Sequence, residues 1–158
     1  MSTTVDYRPM EAVTVYAVET RAPGMGPENV SPVIDQVMPG LIGAIEASGG
    51  VPREPGVFWY ESVPDSEELS VHVSFTADLE PREAPGYEVV ELPAIPTAAV
   101  LTHHGDMPSI GRSWMALMEQ IVADGYRIVG PTREIYVDAA SDDQSDWITD
   151  LVAPVKKV

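Results

Sequence analysis

The residues with the most chemistry in their spacing run from 125 to 137, Gly-Tyr-Arg-Ile-Val-Gly-Pro-Thr-Arg-Glu-Ile-Tyr-Val. Gly125 reads as the end of a helix, Gly130-Pro131 as a turn, and residues 132–137 as a strand. Alternation along that strand sets Glu134 and Tyr136 on one face, with Arg133, Ile135 and Val137 on the other. A carboxylate beside an aromatic ring, among bulky apolar residues, is what a pocket for an apolar cation requires. The same pair equally describes a glutamate facing solvent beside a tyrosine, since lone glutamates are seldom buried.

The elements that must position this strand can be taken in chain order. Residues 13–20 are rich in β-branched side chains and read as a strand. After the Pro23-Gly24-Met25-Gly26-Pro27 loop, Asn29 or Ser31 can cap a helix. Its apolar stripe is Ile34, Val37, Met38, Leu41, Ile42 and Ile45. Pro39 should kink this helix or mark its true beginning, and Gly49-Gly50 should end it. Residues 57–62 and 69–76 read as strands, the second with Leu69, Val71, Val73 and Phe75 buried and Ser70, His72, Ser74 and Thr76 wet. Residues 78–86, with Pro81 and Pro85, connect two halves. Strands follow at 87–92 and 97–103, and Ser109 caps a helix reaching Asp124 with the stripe Ile110, Trp114, Leu117, Met118 and Ile121. Strands at 132–137 and 147–152 close the chain.

The halves match at a fixed offset of 76 residues. Gly49 falls on Gly125, Pro55 on Pro131 and Tyr60 on Tyr136, while Ile34, Leu41 and Ile45 fall on Ile110, Leu117 and Ile121. Such a repeat dictates architecture. It predicts an α+β fold of duplicated strand–helix–strand–strand units, approximately residues 10–78 and 87–155, as a single domain over residues 1–158. Pseudo-two-fold symmetry, an antiparallel sheet with two helices on one face, and a concave ligand cleft on the opposite face complete the expectation. Phe58 is the counterpart of Glu134. Phe58, Tyr60, Glu134 and Tyr136 would therefore share either the core under the helices or the uncovered concave face. The uncovered face costs less, because a glutamate in the core would be an unpaired buried charge. Trp59 alternates away from Tyr60 and joins them only if a bulge re-aims it.

Composition narrows the classes of function. The 158 residues suffice for one domain with a real core, and 44% of them are apolar, an ordinary globular balance. A formal charge of −16 with nine Lys and Arg argues against nucleic-acid binding, which needs basic patches. There is no cysteine, hence no disulfide framework, thiolate metal site or cysteine nucleophile. The first residues lack a signal-peptide pattern, and no apolar run approaches membrane-spanning length, so a cytoplasmic location is expected.

The 130–136 run Gly-Pro-Thr-Arg-Glu-Ile-Tyr with Gly125, the His104-Gly105-Asp106 turn into the helix bearing Trp114, and the closing Trp147-Ile-Thr-Asp-Leu-Val-Ala-Pro-Val together resemble the GyrI-like small-molecule-binding domain. That domain is also the effector domain of some AraC-type and MerR-type multidrug regulators. The resemblance spans nearly the whole chain and implies binding of hydrophobic, often cationic, compounds. It places the cation-facing glutamate at Glu134 and aromatic contacts at Phe58, Trp59, Tyr60 and Tyr136. Two features depart from the regulators: a DNA-binding helix-turn-helix segment ahead of the domain is not expected from these residues, and Asp150 stands where the family often has a glutamate.

The expected function is thus a stand-alone binding domain for hydrophobic or cationic small molecules, acting as a sensor or sequestering protein, with no cofactor. Whether it also turns over a ligand is open. A hydrolase of reactive toxins would use Glu134 with a second carboxylate such as Glu61 or Asp150. A third reading, an acidic protein-interaction module of the gyrase-inhibitor type, would use the negative surface instead. An exposed sheet edge leaves room for a homodimer. Other constellations carry less. His103 and His104 point to opposite strand faces and cannot easily share a metal, and Asp142, Asp143 and Asp146 lack calcium-loop spacing. His72 reads as a solvated or hydrogen-bonded strand residue, and Trp114 as core.

Overall fold

A computed structural model describes residues 4–80, 82–139 and 141–158; Pro81, part of the expected connection, lies outside them. In chain order the described elements are β1 (Asp6–Met10), β2 (Val13–Ala22), α1 (Pro27–Ala47), β3 (Pro52–Ser62), β4 (Leu69–Ala77), β5 (Glu88–Leu92), β6 (Ile95–His104), α2 (Ile110–Ala123), β7 (Tyr126–Ile128), β8 (Thr132–Asp138) and β9 (Ile148–Lys157). The strand pairings within each of the two units described below run antiparallel, and with two helices the architecture is α+β. Two compact units divide the chain. One is Val13–Leu92, and the other is Pro93–Val158 with the N-terminal residues up to Ala12.

In the Val13–Leu92 unit the strand order is β3-β4-β2-β5. Its helix α1 buries Ile34, Leu41 and Ile45, the spacing expected of one apolar stripe. Gly49 has φ +91°, and the chain leaves α1 through paired bonds from Gly49 N to Glu46 O (3.0 Å) and from Gly50 N to Ile45 O (3.1 Å). This double closure satisfies carbonyls the helix itself cannot, and glycine enters the left-handed region without a Cβ penalty. The helix starts earlier than the sequence suggests. It begins at Pro27 behind Gly26, without a side-chain cap, so neither Asn29 nor Ser31 is its cap. Pro39 is not its beginning either. Both Pro32 and Pro39 sit inside α1 on its exposed side, where water can meet the carbonyls that each proline leaves unbonded.

The strand β4 departs from the expected wet-and-dry alternation. Ser70 and Ser74 are buried along with Val71 and Val73. The strand lies between β2 and β3, and the serine hydroxyls are satisfied locally: Ser74 donates to Val57 O, and Ser70 donates to Glu19 Oε2 at 2.8 Å. A small polar residue with a bonded hydroxyl is as easily buried as an alanine.

In the second unit the order is β1-β6-β9-β8, with β7 also pairing with β9. Helix α2 buries Ile110, Leu117 and Ile121, the residues at the repeat offset from the α1 triplet. They pack on Ala99, Leu101, Leu151 and Ala153 of β6 and β9. Alanine at two of these strand positions lets the helix approach closely. Gly125, with φ +80°, ends α2 as Gly49 ends α1. Strands β1 and β7 are not legible in the sequence: one contains Pro9 and the other is three residues long, so neither shows a period. Among the described residues no helix is long and apolar enough to cross a membrane.

Candidate functional site

Register decides which face each residue of β8 occupies. Glu134 stands opposite Leu151 and Tyr136 opposite Thr149, and directly paired antiparallel residues share a face. Leu151 belongs to the core under α2, so Glu134 and Tyr136 lie on the helix-bearing face. The expectation of an uncovered face for Glu134 is therefore corrected. The energetic objection to a covered glutamate fails because this carboxylate is bonded on both oxygens. Trp114 Nε1 donates to Oε2 at 2.8 Å, and the Tyr136 hydroxyl donates to Oε1 at 2.9 Å. Glu134 is 7% exposed.

Trp114 comes from α2, one turn before Leu117, and the same side chain packs its hydrocarbon against the core. Its spacing in the sequence points to core alone. The ring does pack there, but the indole N–H reaches a partner on β8 that no local period reveals. Tyr136 is further fixed by Trp147, edge-on at 6.4 Å between ring centroids, and its oxygen lies 3.8 Å from Met107 Sδ. Met107 sits in the loop entering α2, and no motif in the sequence singles it out. Replacing Trp114 by Phe keeps the ring packing and removes one donor from a buried carboxylate. A loss of about 1–3 kcal/mol is expected in denaturant unfolding, since buried acceptors without donors are costly.

The loop that carries Met107 is held from both sides. His103, 5% exposed, places Nδ1 2.7 Å from Ser113 Oγ and Nε2 2.8 Å from the Asp106 carbonyl. Ser109 occupies the position before the first turn of α2, but its hydroxyl does not cap the helix; it donates to Asp106 O. Its N–H donates to Asp106 Oδ1 at 3.0 Å. The Ser109 hydroxyl and N–H hold the Asp106 carboxyl below the ordinary aspartate range. A depressed folded-state value means the contribution to stability exists above the unfolded value near 4 and fades as pH falls through the folded one. Asp106→Asn should therefore be less stable than wild type at pH 7, with the gap closing below about pH 4 in a thermal-melt series.

The opposite face of β8 is also occupied. Arg133 is buried and donates from Nη2 to Pro93 O at 3.2 Å, and its burial pulls the guanidinium below its usual range. Ile135 packs against the cluster of Ile95, Ala98, Val100 and Val152. Asp150 pairs with Ile135 and accepts from Thr102 Oγ1 at 2.7 Å. It is thus on the face away from Glu134, and the arrangement of Asp150 with Glu134 around one water is excluded.

The remaining candidates belong to the Val13–Leu92 unit. Phe58 is buried and Tyr60 half-buried, with Phe58 edge-on to Phe75 at 6.5 Å. Trp59 is buried and stacks on His72, centroids 4.5 Å apart and planes 2° apart. The register Trp59 to His72 and Tyr60 to Val71 keeps strict alternation there, so no bulge turns Trp59 toward the face of Phe58 and Tyr60. His72 is not simply solvated: its Nε2 lies 3.2 Å from Ser70 Oγ, 3.6 Å from Glu19 Oε2 and 3.7 Å from Glu61 Oε1. Glu61 thus belongs with Trp59 and His72 rather than with Tyr60.

The fold is α+β in two units, and in one of them a buried glutamate is bonded on both carboxylate oxygens among aromatic side chains. The profile of the GyrI-like small molecule binding domain matches residues 4–156, and the chain belongs to that family. Among solved structures, the EcmrR C-terminal domain is similar over 100% of both chains at 20% identity, with a TM-score of 0.79. EcmrR in its complex with DNA is matched over 99% of this chain and 58% of that one, at 21% identity and a TM-score of 0.74. SAV2435 bound to tetraphenylphosphonium is matched over 99% and 94%, at 15% identity and a TM-score of 0.65. These likenesses are likenesses of fold. Comparison with proteins of curated function gives no match.

Proposed function

We propose that this domain binds hydrophobic organic cations, with Glu134 as the charged contact, and serves as a cytoplasmic sensor or sequestering protein. One observation carries the reading: the Glu134 carboxylate is buried, held by Trp114 Nε1 and the Tyr136 hydroxyl, and surrounded by aromatic and thioether groups. A carboxylate withdrawn from water attracts a delocalised cation more strongly than one at the surface, and aromatic faces add cation–π attraction. Burial of ligand rings adds roughly 25 cal/mol per Å² of apolar area without demanding one ligand shape. Tyr136 is the aromatic contact beside Glu134 in this proposal, and the chain is read as one domain of two repeats. The relative SAV2435 bound to tetraphenylphosphonium supports the choice of ligand class.

Access requires a cover to move. Met107 and Trp114 are the half-buried side chains against the Glu134–Tyr136 pair, and methionine rearranges at low cost. The test is a titration of intrinsic tryptophan fluorescence with tetraphenylphosphonium. Saturable quenching is expected, because Trp114 touches the carboxylate directly. A flat titration, with no competition by other lipophilic cations, would remove the cation reading.

A further inference from the structure

Thr149 stands at the start of β9 on the helix-bearing face, paired with Tyr136 on one side and with His103 on the other. The residue is 0% exposed. Its Oγ1 is buried with no hydrogen-bond partner among the described residues. The polar groups beside it make other bonds, and none of them reaches its hydroxyl. Both ring nitrogens of His103 are engaged, by Ser113 Oγ and by the Asp106 carbonyl. The Tyr136 hydroxyl proton goes to Glu134 Oε1. Burying a hydroxyl without a partner opposes folding, and valine would fill the same volume without that cost. A partner that arrives from outside the chain, whether ligand or water, would remove that cost.

We propose that Thr149 is a ligand contact of the Glu134 site, and that the ligands of this site are amphipathic cations bearing a hydrogen-bonding group. This rests on the cation reading above and narrows it. Thr149 lies diagonally across from Glu134, a pair on one face whose Cβ atoms are typically somewhat less than about 7–8 Å apart. A cationic centre held by Glu134 therefore reaches the threonine with a polar group on a short arm of two or three carbons. The hydroxyl both donates and accepts, so an alcohol, amide or ether on that arm is suitable.

The test uses a matched pair, propyltriphenylphosphonium and (3-hydroxypropyl)triphenylphosphonium, on the whole chain and on Thr149→Val. In wild type the hydroxylated cation should bind about tenfold more tightly, the worth of one buried hydrogen bond. Thr149→Val should abolish that preference, leave the affinity for the propyl compound unchanged, and raise the Tm by about 2 °C or more. A residue with a merely structural role would lower the Tm and weaken both compounds alike. If the propyl compound binds but wild type shows no preference, or if the valine variant keeps the preference, the Thr149 assignment is wrong and the cation reading stands. If neither compound binds wild type, both fall.

Discussion

Glu134→Gln should weaken binding of tetraphenylphosphonium by roughly a hundredfold while leaving the fold intact. The estimate follows from a unit charge about 5 Å from the carboxylate at an effective dielectric near 20, which is worth about 3 kcal/mol. Glutamine is a fair control because it nearly preserves shape. Its carbonyl still accepts from Trp114 Nε1, and its amide can donate to the Tyr136 oxygen, which in wild type donates to Oε1. The loss should therefore appear in affinity rather than in unfolding. A neutral ligand of similar size, such as triphenylphosphine oxide, should be held equally by both proteins. Equal affinity of wild type and variant for the cation would show that Glu134 supplies no charge to the ligand.

The second large effect concerns the scaffold of the site. Leu117→Ala should cost about 3–5 kcal/mol of unfolding free energy, in the upper part of the range for buried leucine truncations. Leu117 is 0% exposed and faces a strand surface where Ala99 and Ala153 already leave no long side chain to swing into the space. The cavity therefore cannot collapse, and poor collapse is what moves such substitutions toward the high end. Trp114 stands one turn earlier on the same helix face, so any settling of α2 also disturbs its bond to Glu134. A denaturant midpoint that drops by less than about 1 kcal/mol equivalent, at unchanged slope, would contradict this packing account.

Much of the architecture follows from the sequence because its determinants are local. The triplets Ile34, Leu41, Ile45 and Ile110, Leu117, Ile121 carry helical spacing that any helix must place on one side, and all six are buried. Gly49 and Gly125 stop their helices because only glycine takes the left-handed backbone there without penalty. The pairing of Glu134 with Tyr136 on one strand face is likewise a consequence of the two-residue period. Family membership, too, is readable in the 130–136 run together with its helix.

Tertiary structure alone decided what surrounds those residues. A strand period says that Glu134 and Tyr136 share a face, but not which face bears the helix. That depends on register between β8 and β9, set by pairing across the chain. It was this register that put Glu134 beneath α2, gave it the indole of Trp114, and carried Asp150 to the other side. By sequence, Thr149 is one more β-branched strand residue. Its hydroxyl stands unbonded because its neighbours His103 and Tyr136 are directed to Ser113, Asp106 and Glu134 instead. Hydrogen bonds between distant elements have no period in the sequence, and so only the folded chain shows where one is missing.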